Sequence, residues 1–357
     1  MINVRKKSNC KKERISVFYM TNNSIKKEEK QDFLKFNNKK KKKNLKLADV
    51  IKDKVGETTL TAIQNCSYFM KFYANVNLEK RKLMMANSCN NRFCPMCAYR
   101  KARKDGLKHM IMMKKLKIDK KYSFIFLTLT APSVTGENLR KEVIDYAAAF
   151  QKLAKLKEFQ NMNVGYIRKL EITYNSKKDT YHPHYHVLIC VDKSYFRGKK
   201  YIKHNRWLKM WREAKQDDNI TNVHVAKVKD SDEENVYTEI SKYTAKDSDY
   251  LNEKSKKKKL RESEQEKQKE IFGFFYDSLK GRQVITYNKI FKDLAKKYDT
   301  GELDYLKEID ETKYVYRVIY KWYKDHYEEL EITELTDEEI NDMNNLIDEI
   351  DIENMEE

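Results

Sequence analysis

The sequence predicts an α+β fold: a central, mostly antiparallel sheet with flanking helices on one face, an accessory Cys-rich segment and a helical C-terminal extension. Three observations carry this. Residues 124–130 (FIFLTLT) and 187–191 (VLICV) are short apolar runs rich in branched and aromatic residues, as buried strands are. Residues 139–159 have helical periodicity, with Val143, Tyr146, Ala147, Phe150, Leu153 and Leu156 facing inward. Residues 164–174 form another strand, and only a polar turn, 175–180, separates it from the next, which predicts an antiparallel hairpin. Strand, helix and strand in succession is an α+β pattern, and the scarcity of Gly (8) and Pro (3) favours regular elements.

In chain order, residues 1–55 are expected to be a basic, flexible arm. Their lysine run, 39–43, repels itself and is the kind of sequence that stays solvated. Residues 56–120 form a Cys-rich and basic helical segment. Within it, 57–85 read as one or two helices whose Ile63, Tyr68, Phe69, Phe72 and Tyr73 pack inward. The core is assigned to 121–250 and closes with a short strand at 223–228 and a helix over 231–247. A C-terminal extension spans 251–327, and 328–357 is an acidic tail. The charged stretch 251–270 reads as a linker or exposed helix, and 314–327 as buried strand or helix.

The formal net charge of +19 over 357 residues calls for a polyanionic partner. No apolar run is long enough to span a bilayer and no signal pattern opens the chain, so nucleic acid is favoured over a membrane. The six cysteines are unevenly spread, which points to metal binding in a reducing cytoplasm and not to a disulfide frame.

Three of the seven histidines fall within five residues, His182, His184 and His186, at the start of the 187–191 strand. Side chains alternate along a strand, so His184 and His186 share a face and suit one metal ion. The alternative is ordinary polar residues on a half-exposed strand. Glu171, on the paired strand, either completes a His/His/Glu site or is a rim carboxylate paired to a lysine. Cys94-Pro-Met-Cys97 is a zinc half-site, because its tight turn aims two thiolates at one point, and Cys89 supplies a third. The fourth ligand is Cys66 or, second, His109; the alternative is free buried thiols. Arg100, Arg103 and Lys104 open a basic helix that either lines a DNA groove or is a solvated face. Trp207 and Trp211 are four apart and share a helix face, either to stack on unpaired bases or to fill the core. On the 231–247 helix, Glu239, Tyr243 and Lys246 lie on one face, with Val236 and Ile240 anchoring it on the sheet. Tyr237 is a competing tyrosine.

These segments resemble a known family. HPHYHVLI resembles the histidine–hydrophobe–histidine motif of the HUH endonucleases, in the form found in rolling-circle replication initiators of small bacterial plasmids. FLTLT followed by a small residue and Pro132 resembles the family's first motif. EISKYTAKD, 239–247, resembles the motif that carries its nucleophilic tyrosine. The CPxC knuckle with its flanking arginine and the Leu-Lys-Gly-Arg turn at 279–282 are also similar to parts of these initiators. The resemblance covers roughly Cys89 to Tyr298. It implies that Tyr243, whose place beside the apolar stripe also suits a core residue, is the nucleophile and Glu239 a general base, and that Glu171, His184 and His186 hold Mg²⁺ or Mn²⁺; Lys246 either holds a phosphate oxygen or is a solvated lysine. It implies nicking and rejoining of plasmid origin DNA, single-stranded or cruciform, through a 5′-phosphotyrosine. Host helicase, host replication proteins and a second copy of the chain are further candidate partners, and a structural zinc is a second candidate metal. A mobilisation relaxase or transposase is one rival reading, although relaxases usually place the tyrosine ahead of the histidine motif. A non-catalytic zinc-containing DNA-binding regulator is the other.

Overall fold

The computed structural model describes residues 23–119, 121–242, 245–251 and 262–343. The N-terminal part runs α1 (Asn23–Ile51), α2 (Glu57–Gln64), the hairpin β1 (Phe69–Asn75) and β2 (Arg81–Ala86), then α3 (Pro95–Ile118). The central part runs β3 (Tyr122–Thr130), α4 (Gly136–Lys155), α5 (Lys157–Met162), the hairpin β4 (Gly165–Asn175) and β5 (Thr180–Asp192), then α6 (His204–Lys215), β6 (Val223–Lys227), α7 (Glu233–Ser241) and α8 (Asp247–Tyr250). The C-terminal part runs α9 (Glu262–Leu279), β7 (Ile285–Lys289), α10 (Ile290–Asp299), β8 (Tyr314–Tyr323), β9 (His326–Glu334) and α11 (Asp337–Asp342).

Two antiparallel sheets result, a larger one in the order β6-β3-β5-β4-β7 and a smaller one in the order β2-β1-β8-β9. The β4–β5 hairpin predicted from the polar turn is present, with Glu171 opposite His184 and Lys169 opposite His186. Asn175 closes its turn by accepting the backbone N–H groups of Lys177 and Lys178. Pro183 sits inside β5, a place prolines avoid in central strands. It is tolerated because β3 ends at Thr130, opposite His184, and resumes contact only at the Val134–Tyr181 bridge, so its missing N–H faces that gap.

The expectation of helices on one face is corrected: both faces of the larger sheet are covered. On the histidine face, Ile111 and Leu116 of α3, Val236 and Ile240 of α7 and Phe291 of α10 pack on Ile167, Leu188 and Cys190. On the other, α4, α6 and α9 bury Tyr146, Phe150, Trp211 and Phe275 against Leu127, Leu129, Val187 and Ile189. A central sheet whose strands are apolar on both faces needs two helical layers.

Three further expectations change. Residues 69–86 are strands, not helices, and 328–334 of the acidic tail pair with β8 as part of β9. The flexible arm is helix α1 over its described part. Its lysine run is bound to the body: Lys40 lies over the Phe36 and Tyr99 rings, and Lys43 pairs with Asp247 at 2.8 Å. Lys41 is wholly buried and donates to the carbonyls of Gln64 (2.6 Å) and Cys66 (2.8 Å). The run Lys256–Lys259 lies outside the described residues. Among the described residues, no helix is long and apolar enough to cross a membrane.

Candidate active site and metal centres

The β4–β5 register puts Glu171 beside the two predicted histidines. Glu171 Oε2 lies 3.1 Å from His186 Nε2 and 3.7 Å from His184 Nε2. Both rings are turned by their other nitrogens. His184 Nδ1–H donates to the His182 carbonyl at 3.2 Å, and His186 Nδ1 meets Thr128 Oγ1 at 3.3 Å. Both Nε2 atoms therefore converge on one carboxylate, and the Nδ1 contacts orient the rings as they do in metal-binding histidines. Burial alone would raise the Glu171 carboxyl, but the close approach of His184 and His186 and the charge of Lys169 outweigh it and hold it well below the usual carboxylate range. An ionised carboxylate and two imidazoles fit a divalent cation and leave coordination positions for substrate oxygens.

A second carboxylate enters from α7. The acidic first turn of this helix is clasped by Lys117, 2.6 Å from Glu233, and Val236 and Ile240 seat it on the sheet. One turn on, Glu239 Oε1 is 3.5 Å from His186 Nε2 and its Oε2 accepts from Lys242 at 2.6 Å. The helix was expected to run to residue 247, but it ends at Ser241. A local and a tertiary contact meet at the stop. Ser241 Oγ turns back onto the Tyr237 carbonyl (2.6 Å), and the buried Lys169 ammonium donates to the last carbonyls, those of Glu239 (3.4 Å) and Lys242. Lys246 is consequently not on a helical face with Glu239; its extended backbone starts α8. Tyr243 lies outside the described residues. Tyr237 is packed against the second core cluster.

Two groups near this site escaped the sequence reading. Lys169 is fully buried, and burial brings its ammonium down to about 8 against the pull of Glu171, Glu239 and Asp105. Asp249, on α8, has a buried Oδ2 without a partner among the described residues, and burial raises its carboxyl to about 6. Only a tertiary structure reveals either, since a lysine in a strand and an aspartate in a polar segment both read as solvated.

The Cys segment gathers as proposed, with Cys66 as the fourth sulfur. Cys66 Sγ is 3.5 Å from Cys97 and 3.6 Å from Cys94, and Cys89 Sγ is 3.7 Å from Cys97. A tetrahedral zinc with bonds of about 2.3 Å has sulfur edges of about 3.8 Å, so this spacing fits a closed Cys₄ centre. Around it, Asn44 Nδ2 donates to Cys94 Sγ at 3.3 Å. His109 is excluded as a ligand: it is buried between Ser241 Oγ (2.7 Å) and Tyr287 Oη (2.9 Å), and burial lowers it to about 3.

The proposed DNA contacts fare differently. Trp207 and Trp211 have no exposure; Trp211 Nε1 donates to the Thr130 carbonyl at 2.7 Å, and both rings are core. They cannot stack on bases. Arg100 braces the knuckle, with bonds to Ser67 Oγ (2.6 Å) and Ser88 Oγ (2.9 Å), and Arg103 lies over the Tyr99 ring. Lys104 is exposed.

A family model described as "Replication protein" (Rep_1) matches residues 80–329. A "Protein rep" of Staphylococcus aureus is 48% identical over 218 residues, which cover 61% of this chain and 95% of the relative. One from a Bacillus species is 32% identical, covering 67% of this chain and 80% of the relative. One from Streptococcus pneumoniae is 28% identical, covering 73% and 79%. No solved structure matches.

Proposed function

The chain belongs to the replication protein family, and from that premise we propose that it initiates plasmid rolling-circle replication by nicking and rejoining one strand of origin DNA. The observation that carries this reading is the convergence of Glu171, His184 and His186 beside Glu239, four residues ahead of Tyr243 in the chain. In this reading the Tyr243 phenol gives up its proton and its oxygen attacks the scissile phosphorus. The bond to the 3′ oxygen breaks, which leaves a 5′-phosphotyrosine and a 3′-OH that primes synthesis. A phenol of ordinary pKa about 10 is a weak nucleophile at neutral pH. A Mg²⁺ or Mn²⁺ ion held by Glu171, His184 and His186 would withdraw charge from the phosphate. The energy of the broken bond is kept in the phosphotyrosine, so cutting and rejoining need no nucleotide cofactor. Glu239 serves as general base for a water that ends the cycle, and Lys246 contacts a phosphate oxygen. The Cys₄ centre takes zinc and has a structural role.

The test is a nicking assay on supercoiled plasmid carrying the origin, with Mg²⁺ or Mn²⁺, followed by mass spectrometry of the peptide left on the DNA. The expected adduct is on Tyr243, and Tyr243→Phe is expected to bind DNA but not cut it. Uncut plasmid would support a non-catalytic regulator; an adduct on Tyr237 would move the nucleophile.

A further inference from the structure

The loop 90–93 after the first zinc-site cysteine and the Leu-Lys-Gly-Arg turn 279–282 meet at a cavity of about 340 Å³. Arg92 joins them by donating to the carbonyls of Leu279 (2.9 Å) and Arg282 (3.0 Å). The turn itself depends on Gly281, whose φ of 71° is open to glycine and strained for other residues. A third wall is Ser241, Lys242 and Ala245, the described neighbours of Tyr243 in the chain. We propose that this cavity binds one unpaired base of the origin strand next to the scissile phosphate. The proposal rests on the nicking reading above and adds the substrate element that the site reads.

The lining has the chemistry of a base pocket. Phe93, Ala98, Ala102, Val284 and Ile285 give apolar walls for a flat ring. Asn91, Lys101 and Asp105 supply both donors and acceptors for its edge. Asp105 is held in place by Lys101, at 3.0 Å, and burial raises its carboxyl above the usual range. The volume is at the small end for ligand pockets, which admits one nucleotide and excludes duplex. Lys101 and the exposed Lys104, one helical turn apart, supply positive charge at the rim for the flanking phosphates. The occupant is a base of the cut strand because Lys242, which walls the cavity, also pairs with Glu239 beside His186. Extruding a base into a pocket costs least on strands that are already unpaired.

The experiment measures binding by fluorescence anisotropy, with the full chain and no added divalent ion. The probes are single-stranded origin oligonucleotides with one abasic site, moved stepwise across the nick. In the wild type, one position is expected to lose about tenfold in affinity, the scale of one stacked base. Ala98→Trp, which fills the cavity, is expected to weaken the intact strand about as much and to erase the loss at that position alone. Lys101→Met, at an exposed side chain that leaves the core untouched, gives a second arm if Ala98→Trp misfolds. It is expected to shrink the loss at the same position. A wild-type profile without a sensitive position, or one that neither variant changes, overturns the pocket while leaving the nicking reading intact. Failure of the wild type to bind any single strand overturns both.

Discussion

The two clusters suited to metals are built on opposite plans. Glu171, His184 and His186 come from two adjacent strands, 15 residues apart at most, and their positions follow from one hairpin register. The four sulfurs come from loops and a helix start spread between Cys66 and Cys97, and a separate helix, α1, supplies Asn44 and Lys41 as outer support. The first cluster offers three ligand atoms beside a further carboxylate, so a cation held there would keep coordination positions for substrate oxygens. The second has four thiols and is closed. Open sites with three protein ligands suit catalysis, and closed tetrahedral ones hold structure. The difference teaches that ligand count and scaffold together separate a reactive metal from a structural one.

That contrast can be broken experimentally, and the largest effect should come at the open cluster. His184→Ala is expected to lower divalent-dependent nicking by about 10³-fold, with the melting temperature nearly unchanged. A comparable loss of folding would make the cluster structural after all. At the closed cluster, Cys94→Ser is expected to cost at least about 2 kcal/mol of stability and to lower bound zinc as measured by metal analysis. Nicking by the folded fraction should persist; selective loss of nicking with normal stability would erase the distinction. Next in size, Lys169→Met is expected to slow nicking by about tenfold through the end of α7, with metal affinity retained. A rate equal to wild type would show that the carbonyls of Glu239 and Lys242 need no buried donor.

A last effect, on stability alone, is set by pH. His109 lies buried between Ser241 and Tyr287, and burial lowers it to about 3 from an ordinary value near 6.5. A base depressed in the folded state binds its proton more readily when unfolded. Stability is therefore full above pH 6.5 and falls as pH drops toward 3. Denaturant melts at pH 7 and 4.5 should differ by about 2 kcal/mol from this group, and His109→Gln should reduce the difference.

Much of the open site was legible because its ligands are local. Period-two alternation gives the faces of His184 and His186, and the turn at 175–180 gives their register against Glu171. The knuckle was legible from CPxC spacing, although choosing Cys66 over His109 needed the tertiary fold. Other features depend on distant partners. The carbonyls at the end of α7 are capped by Lys169, 72 residues earlier than Ser241, a partner that no local pattern reveals. The tryptophans of α6 lie on the apolar side of a strongly amphipathic helix, which is the signal that favours core over stacking. The smaller sheet was missed because β1 and β8 are far apart in sequence and the exposed face of β9 is acidic.

That distant pairing has a consequence for how the protein is made. Phe72 in β1 lies opposite Val318 in β8, and Tyr327 Oη donates to the Ser67 carbonyl at 2.7 Å, beside Cys66. A ribosome must therefore deliver residues 314–323 before the β1–β2 hairpin gains its neighbour, and until then the edge of β1 stays open. Synthesis halted before Tyr314 would yield a product with an exposed strand edge and an unsupported thiol cluster. Aggregation or proteolysis of such fragments, in a release series of increasing length, should end abruptly once β8 and β9 are included.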